Sequence, residues 1–185
     1  MPQYVIAAAI GVGLLLIVVG GWVVWRRNRG PELARALEAV AIERVQNVLL
    51  PDGMGGHIQV EHLLLTGHGF LVIDAKPFAG IIFASERMAD WTVIGKQGRF
   101  TFPNPLGTLY DRVAALKQLV REVPVAGYVL FNGSADFSKG RPRDVLSAAE
   151  LVERYRRPDP AELERLLVAF APHWDRVKQA VEPVP

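Results

Sequence analysis

The sequence predicts an α/β (α+β) fold, a sheet with helices packed around it, preceded by one transmembrane helix. Three observations carry this. Residues 1–25 contain no Lys, Arg, Asp, Glu or His. Short apolar runs at 58–65, 70–76, 80–84 and 91–94 are joined by short loops, the pattern of antiparallel strands. From Leu106 onward the apolar positions change to a helical stripe, followed by a short apolar run at 125–131.

The first element is the apolar run Tyr4–Trp25. At about 1.5 Å per residue it matches a hydrocarbon core of about 30 Å, so it predicts a spanning helix. A cleaved signal would carry positive charge before the apolar stretch and small residues after it; here the start is MPQ and the end is WVVWRRNR. Arg26, Arg27 and Arg29 follow the span, which places the carboxyl-terminal domain in the cytoplasm, with Trp22 and Trp25 at the inner interface of the cell membrane.

Residues 31–46 then read as a helix, with Pro31 in its first turn and Leu33, Leu37, Val40 and Ile42 on its apolar face. A short strand is expected near 48–50, and PDGMGGH at 51–57 is a turn by its Pro, Asp and glycines. The four apolar runs above form an expected meander. The stripe at 106, 109, 110, 113, 116, 119 and 120 predicts a helix ending before Pro124, and VAGYVLF predicts a buried strand at 125–131. The segment 132–143 is expected as a loop, with further helices at about 144–156 and 160–180. These elements divide the chain into an anchor with its basic flank (1–29), a central domain (30–157) and a C-terminal helix (158–185).

Composition limits the chemistry. With no cysteine, a disulfide scaffold, a Cys-ligated zinc or iron-sulfur site and a thiol nucleophile are excluded. A net charge of +2, from 21 basic and 19 acidic residues, is too small to argue by itself for nucleic acid. His57, His62 and His68 lack zinc-ligand spacing, and no serine stands in a nucleophile elbow. Trp91 and Phe100 are expected as packing residues.

The chemistry that remains lies in the first hairpin. Pairing Leu65 with Phe70 across Thr66-Gly67-His68-Gly69 sets Glu61 opposite Asp74 and Gln59 opposite Lys76, all on one face. Opposed carboxylates repel unless something compensates. A divalent cation such as Mg²⁺ would do so and would activate water for attack on phosphorus, with Lys76 orienting that water or neutralising the phosphate. The alternative on the residues alone is a cross-strand salt bridge between Lys76 and the acids, contributing under about 1 kcal/mol.

At these residues the sequence resembles a known family. Val60-Glu61-His62-Leu63-Leu64-Leu65, then Gly69-Phe70-Leu71-Val72-Ile73-Asp74-Ala75-Lys76, then Gly80, Trp91 and Asn104-Pro105-Leu106, is similar to the nuclease-related domain (NERD) family, which is grouped with the PD-(D/E)xK nucleases. The resemblance covers roughly residues 31–155. It implies a restriction-endonuclease-like mixed sheet flanked by helices, Mg²⁺-dependent cleavage of nucleic acid, and Glu61, Asp74 and Lys76 as the catalytic set, with Glu61 and Asp74 on the metal. In the wider superfamily an acid of the first helix joins the site; Glu32 and Glu38 both match. The chain departs from the family in exchanging the two acids, Glu61 for Asp and Asp74 for Glu. It also carries Thr108 and Arg112 where Gln and His are common. Arg112, with Lys139 and Arg141 of the later loop, is then a phosphate-contact candidate. The resemblance leaves two functional expectations: a membrane-anchored metal-dependent nuclease, or a degenerate domain that binds nucleic acid or protein without cutting.

Overall fold

The computed structural model describes residues 32–96, 98–131 and 134–184. The expected transmembrane segment, its tryptophans and its arginine flank lie outside the described residues. None of the described helices is long and apolar enough to cross a membrane.

Helix α1 covers residues 32–40 and buries Ala36, Leu37 and Val40, the stripe read from the sequence. It ends earlier than expected. Ala41 N–H still donates to Leu37 O at 2.8 Å, but Ile42 N–H donates to Leu65 O at 2.8 Å, which hands the backbone to a sheet. What was expected as the end of a helix and a three-residue strand is a single strand β1, Glu43–Pro51. Sheet pairing supplies every ladder bond at once along this segment, and that outweighs a weak helical pattern.

The rest of the hairpin region follows the sequence closely. β2 (His57–Thr66) and β3 (Gly69–Lys76) pair antiparallel with Leu65 opposite Phe70, the expected register. β1 lies on the other side of β2, also antiparallel. The expected meander does not continue: β4 (Gly80–Phe83), β5 (Asp90–Gly95) and the unforeseen β6 (Gly98–Pro103) belong to a second sheet. A short connection after β3 carries the chain to that sheet without a ladder between β3 and β4.

Helix α2 (Leu106–Leu119) starts where the stripe begins. Strand β7 (Val125–Phe131) returns parallel to β3, so the main sheet is mixed. The loop expected at 132–143 contains the two-residue strand β8 (Ala135–Asp136), and β9 (Val145–Leu146) precedes α3 (Ala148–Arg154). The helix expected from 144 therefore starts at 148, where Ser147 caps it by accepting from Glu150 N–H at 3.2 Å. Helix α4 (Pro160–Ala180) and β10 (Glu182–Pro183) complete the described chain. Among the described residues the strand orders are β10-β1-β2-β3-β7-β9 and β6-β5-β4-β8.

Side-chain alternation on β3 sorts the core into two layers. Phe70 and Val72 face a cluster with Leu109 and Leu116 of α2, Trp91 of the second sheet and Trp174 of α4. Leu71 and Ile73 face the opposite way, against Leu37 of α1 and Leu151 of α3. The mixed sheet is thus flanked by helices on both faces. Asp74 follows Phe70 and Val72 in alternation and falls on the α2 side.

Candidate functional site

The site lies where the β2–β3 ladder opens. Backbone pairing runs from Thr66–Gly69 to His62–Ile73; one step further are Glu61 and Asp74. On the other side of β2, Asn47 of β1 has a positive φ of 50°, and the ladder skips Asn47 and Glu61 between Gln46–His62 and Val48–Val60 while keeping the same register on both sides. Glu61 therefore sits at a local distortion shared by both strands. Val60 and Leu63, of opposite parity, both enter the same core cluster, so strict alternation is lost across Glu61. Beyond the opening, Ala75 N–H donates to Glu61 Oε2 at 3.0 Å, so a side chain takes the place of a strand carbonyl.

Asp74 is 5% exposed and is held by two cations. Lys76 Nζ donates to Asp74 Oδ1 at 2.7 Å, and Arg112 Nη1 donates to Asp74 Oδ2 at 3.2 Å. Arg112 Nε also donates to the Gln59 carbonyl at 2.6 Å. Its guanidinium accordingly spans from the backbone of β2 to the carboxylate of β3, across the opening in their ladder. The structure thus brings together Glu61, Asp74, Lys76 and Arg112.

The fold positions Arg112 through the Asn104-Pro105 turn. Asn104 Nδ2 donates to the Met88 carbonyl at 2.9 Å, while Asn104 Oδ1 accepts from Leu106 N–H at 3.0 Å. That side chain ties the β4–β5 connection to the first turn of α2. Leu109 and Leu116 are fully buried, and Arg112 lies between them along the same face, so packing of α2 aims Arg112 at the sheet. Thr108 is exposed.

Electrostatics distinguish the two acids. Burial pushes the Glu61 carboxyl above its ordinary value, reinforced by the Asp74 charge and opposed chiefly by the Ala75 N–H bond. The neighbouring His62 is pushed down by burial and by the Arg44 charge; its Nε2 lies 3.7 Å from Glu61 Oε1. Glu61 has a side chain 41% exposed and is the carboxylate of the pair that solvent reaches.

Other expected residues are placed elsewhere. Glu32 and Glu38 are exposed on α1, which packs on the face of the sheet opposite Asp74; among the described residues no ion pair or hydrogen bond joins them to it. Lys139 and Arg141 line a cleft with Ser85 and Arg87, and Arg141 is engaged by Glu150 through bonds of 2.8 and 2.7 Å. Trp91 is fully buried, and Phe100 packs edge-on against Phe78 at 5.0 Å between ring centroids. The role of the Gln59 carbonyl had no signal in the sequence, because a backbone atom serves whatever side chain it carries.

The donor set can be tested against the divalent ion that the resemblance implies. Both oxygens of Asp74 accept from cationic side chains, and Glu61 Oε2 accepts from Ala75 N–H, while among the described residues Glu61 Oε1 accepts no hydrogen bond and has only His62 Nε2 near it, at 3.7 Å. Two carboxylates stand against two cations. Among the described residues no group of three or more His, Cys, Asp or Glu is arranged to hold a metal ion. A hard divalent cation such as Mg²⁺ binds through one or two carboxylates, with water and substrate phosphate completing its shell, so it needs a free carboxylate oxygen and is disfavoured beside positive charge. The arrangement does not fit such an ion while Arg112 stays at Asp74.

Residues 32–132 match the nuclease-related domain family. An uncharacterized protein of Bacillus anthracis is 24% identical over 102 residues, covering 53% of this chain and 48% of the relative. The chain thus spans about half the length of that relative. No solved structure matches.

Proposed function

The chain belongs to the nuclease-related domain family, and from that premise we propose that the pocket of Glu61, Asp74, Lys76 and Arg112 engages the phosphodiester backbone of nucleic acid. The observation that carries this is the pair of cations, Lys76 and Arg112, gathered on one buried carboxylate at the family's motif. Asp74 holds both in place. Arg112 spends its Nε–H on Gln59 and one Nη1–H on Asp74, and the guanidinium has further N–H groups for phosphate oxygens. Lys76, with a side chain 24% exposed, has donors beyond its bond to Asp74. Such preorganised donors favour an anion because they require no rearrangement when it arrives.

Hydrolysis is the nuclease-like extension of this reading. Glu61 is then the group that takes a proton from the attacking water, since burial raises its affinity for a proton and Oε1 is free to accept. Lys76 and Arg112 neutralise the charge that builds on phosphorus oxygens. A second reading, binding without cutting, is favoured by Thr108 and Arg112, which stand where the family commonly carries Gln and His. In either case the charge-free run 4–25 and its arginine flank support a single membrane span with the domain in the cytoplasm, acting on membrane-proximal nucleic acid.

The test uses the full chain in detergent with labelled single- and double-stranded DNA and RNA, assayed for binding and for cleavage. Binding lost in Lys76→Ala supports the proposal. Cleavage that Glu61→Gln abolishes while binding is retained supports hydrolysis, and binding without cleavage supports the second reading. Failure to bind any of these substrates would remove the proposal.

A further inference from the structure

The site contains a guanidinium where its two carboxylates would otherwise call for an ion. We infer that Arg112 is a built-in replacement for a divalent cation, so that phosphodiester engagement at this site is independent of divalent metal. The inference rests on the proposed phosphodiester-binding role, but the arrangement behind it, two cations on Asp74, stands apart from that role.

Three features support it. The first is charge: with Lys76 and Arg112 in place, Glu61 and Asp74 are already balanced, which removes the electrostatic reason for a metal between two facing acids. The second is geometry. Arg112 is fixed at two points, the Gln59 carbonyl at 2.6 Å and Asp74 Oδ2 at 3.2 Å, and therefore blocks the oxygen that a metal would need while resisting displacement. The third is placement. The guanidinium arrives from α2, whose start is tied down by Asn104, so its position is set by helix packing rather than by a mobile loop. Guanidinium is planar and permanently charged, and it binds phosphate through paired N–H groups. It can therefore supply phosphate recognition and charge neutralisation together, without an exchangeable ligand.

A merely structural clamp would also tie β2 to β3, so the decisive readout is metal binding. Full-length protein in detergent is titrated with Mn²⁺ and with Mg²⁺, following thermal stability and heat of binding, for the wild type, Asp74→Asn, Arg112→Gln, Arg112→Lys, and Arg112→Gln combined with Asp74→Asn. The wild type and Arg112→Lys are expected to show no saturable metal-dependent rise in Tm. Arg112→Gln is expected to gain one, and the added Asp74→Asn to abolish it. In parallel, at matched ionic strength, wild-type oligonucleotide affinity is expected to be no higher in Mg²⁺ than in EDTA. A saturable Mn²⁺ effect in the wild type that Asp74→Asn removes would overturn the inference, as would a folded Arg112→Gln that gains no metal binding. If Arg112→Gln does not fold, the wild-type titration and the EDTA comparison still decide. Absence of oligonucleotide binding would defeat the proposed function, while the metal titrations would still judge Arg112.

Discussion

Replacing Asp74 tests whether the buried carboxylate is the keystone of the site. Asp74→Ala leaves Lys76 and Arg112, with side chains 24% and 17% exposed, facing each other without a counter-charge. Each lost hydrogen bond to a charged group contributes about 1.5–3 kcal/mol, and stranding one partner of a fully buried pair costs about 3–5 kcal/mol. Because both cations retain some contact with water, the expected loss is about 2–4 kcal/mol. Asp74→Asn keeps the volume and one acceptor and is expected to recover about half of that. Urea unfolding followed by tryptophan fluorescence is suited to the measurement, since Trp91 and Trp174 are 0% and 1% exposed and report on the core. The difference is expected to persist in high salt, because part-buried pairs are screened weakly. A loss below about 1 kcal/mol, the range of solvated surface pairs, would refute the reasoning.

Other perturbations probe how the site is held. Gly69 has φ +116°, and a Cβ there would collide with the Pro124 carbonyl that also accepts from Phe70 N–H at 2.8 Å; Gly69→Ala is expected to lower stability by more than about 1 kcal/mol, measured by the same unfolding assay. At the start of α3, Arg141 holds the Glu150 carboxyl down to about 2, aided by the Ser147 N–H. Since the folded value lies below the ordinary one of 4.5, this contribution is present above pH 4.5 and is lost as pH falls toward 2. With the Glu150 side chain 38% exposed, it amounts to no more than about 1 kcal/mol. Stability curves of the wild type and Arg141→Ala are expected to converge over that window, and curves that stay parallel would contradict the assignment.

Much of the hairpin was legible because its register is over-determined. The short connection Thr66-Gly67-His68-Gly69 and the apolar alternation of Leu63, Leu65, Phe70 and Val72 agree on one pairing, and that pairing places Glu61 beside Asp74. β1 was hidden by its own kink: with Asn47 at positive φ, Val45 and Val48 both face the core, so the strand loses its period of two. Helix α1 ended at a residue with no Gly or Pro to mark it, because the ending is decided by the bond from Ile42 to Leu65 in another element. The split into two sheets was likewise invisible, since a short connection says nothing about which strands pair. β8, β9 and β10 are two residues each, too short for periodicity to register. In the site, family position drew attention to Arg112, but its clamp on the Gln59 carbonyl and the capture of Ala75 N–H by Glu61 depend on backbone atoms that no side-chain pattern encodes.

The central claim is that Lys76 and Arg112 meet phosphate, and the salt dependence of oligonucleotide binding measures it most directly. Each phosphate contact contributes a slope of about 0.7 for single strands and 0.9 for duplex in log affinity against log salt. Folded Lys76→Gln is predicted to bind more weakly than the wild type, with a slope shallower by about that amount, uniformly across sequences. An affinity and slope equal to those of the wild type would contradict the account.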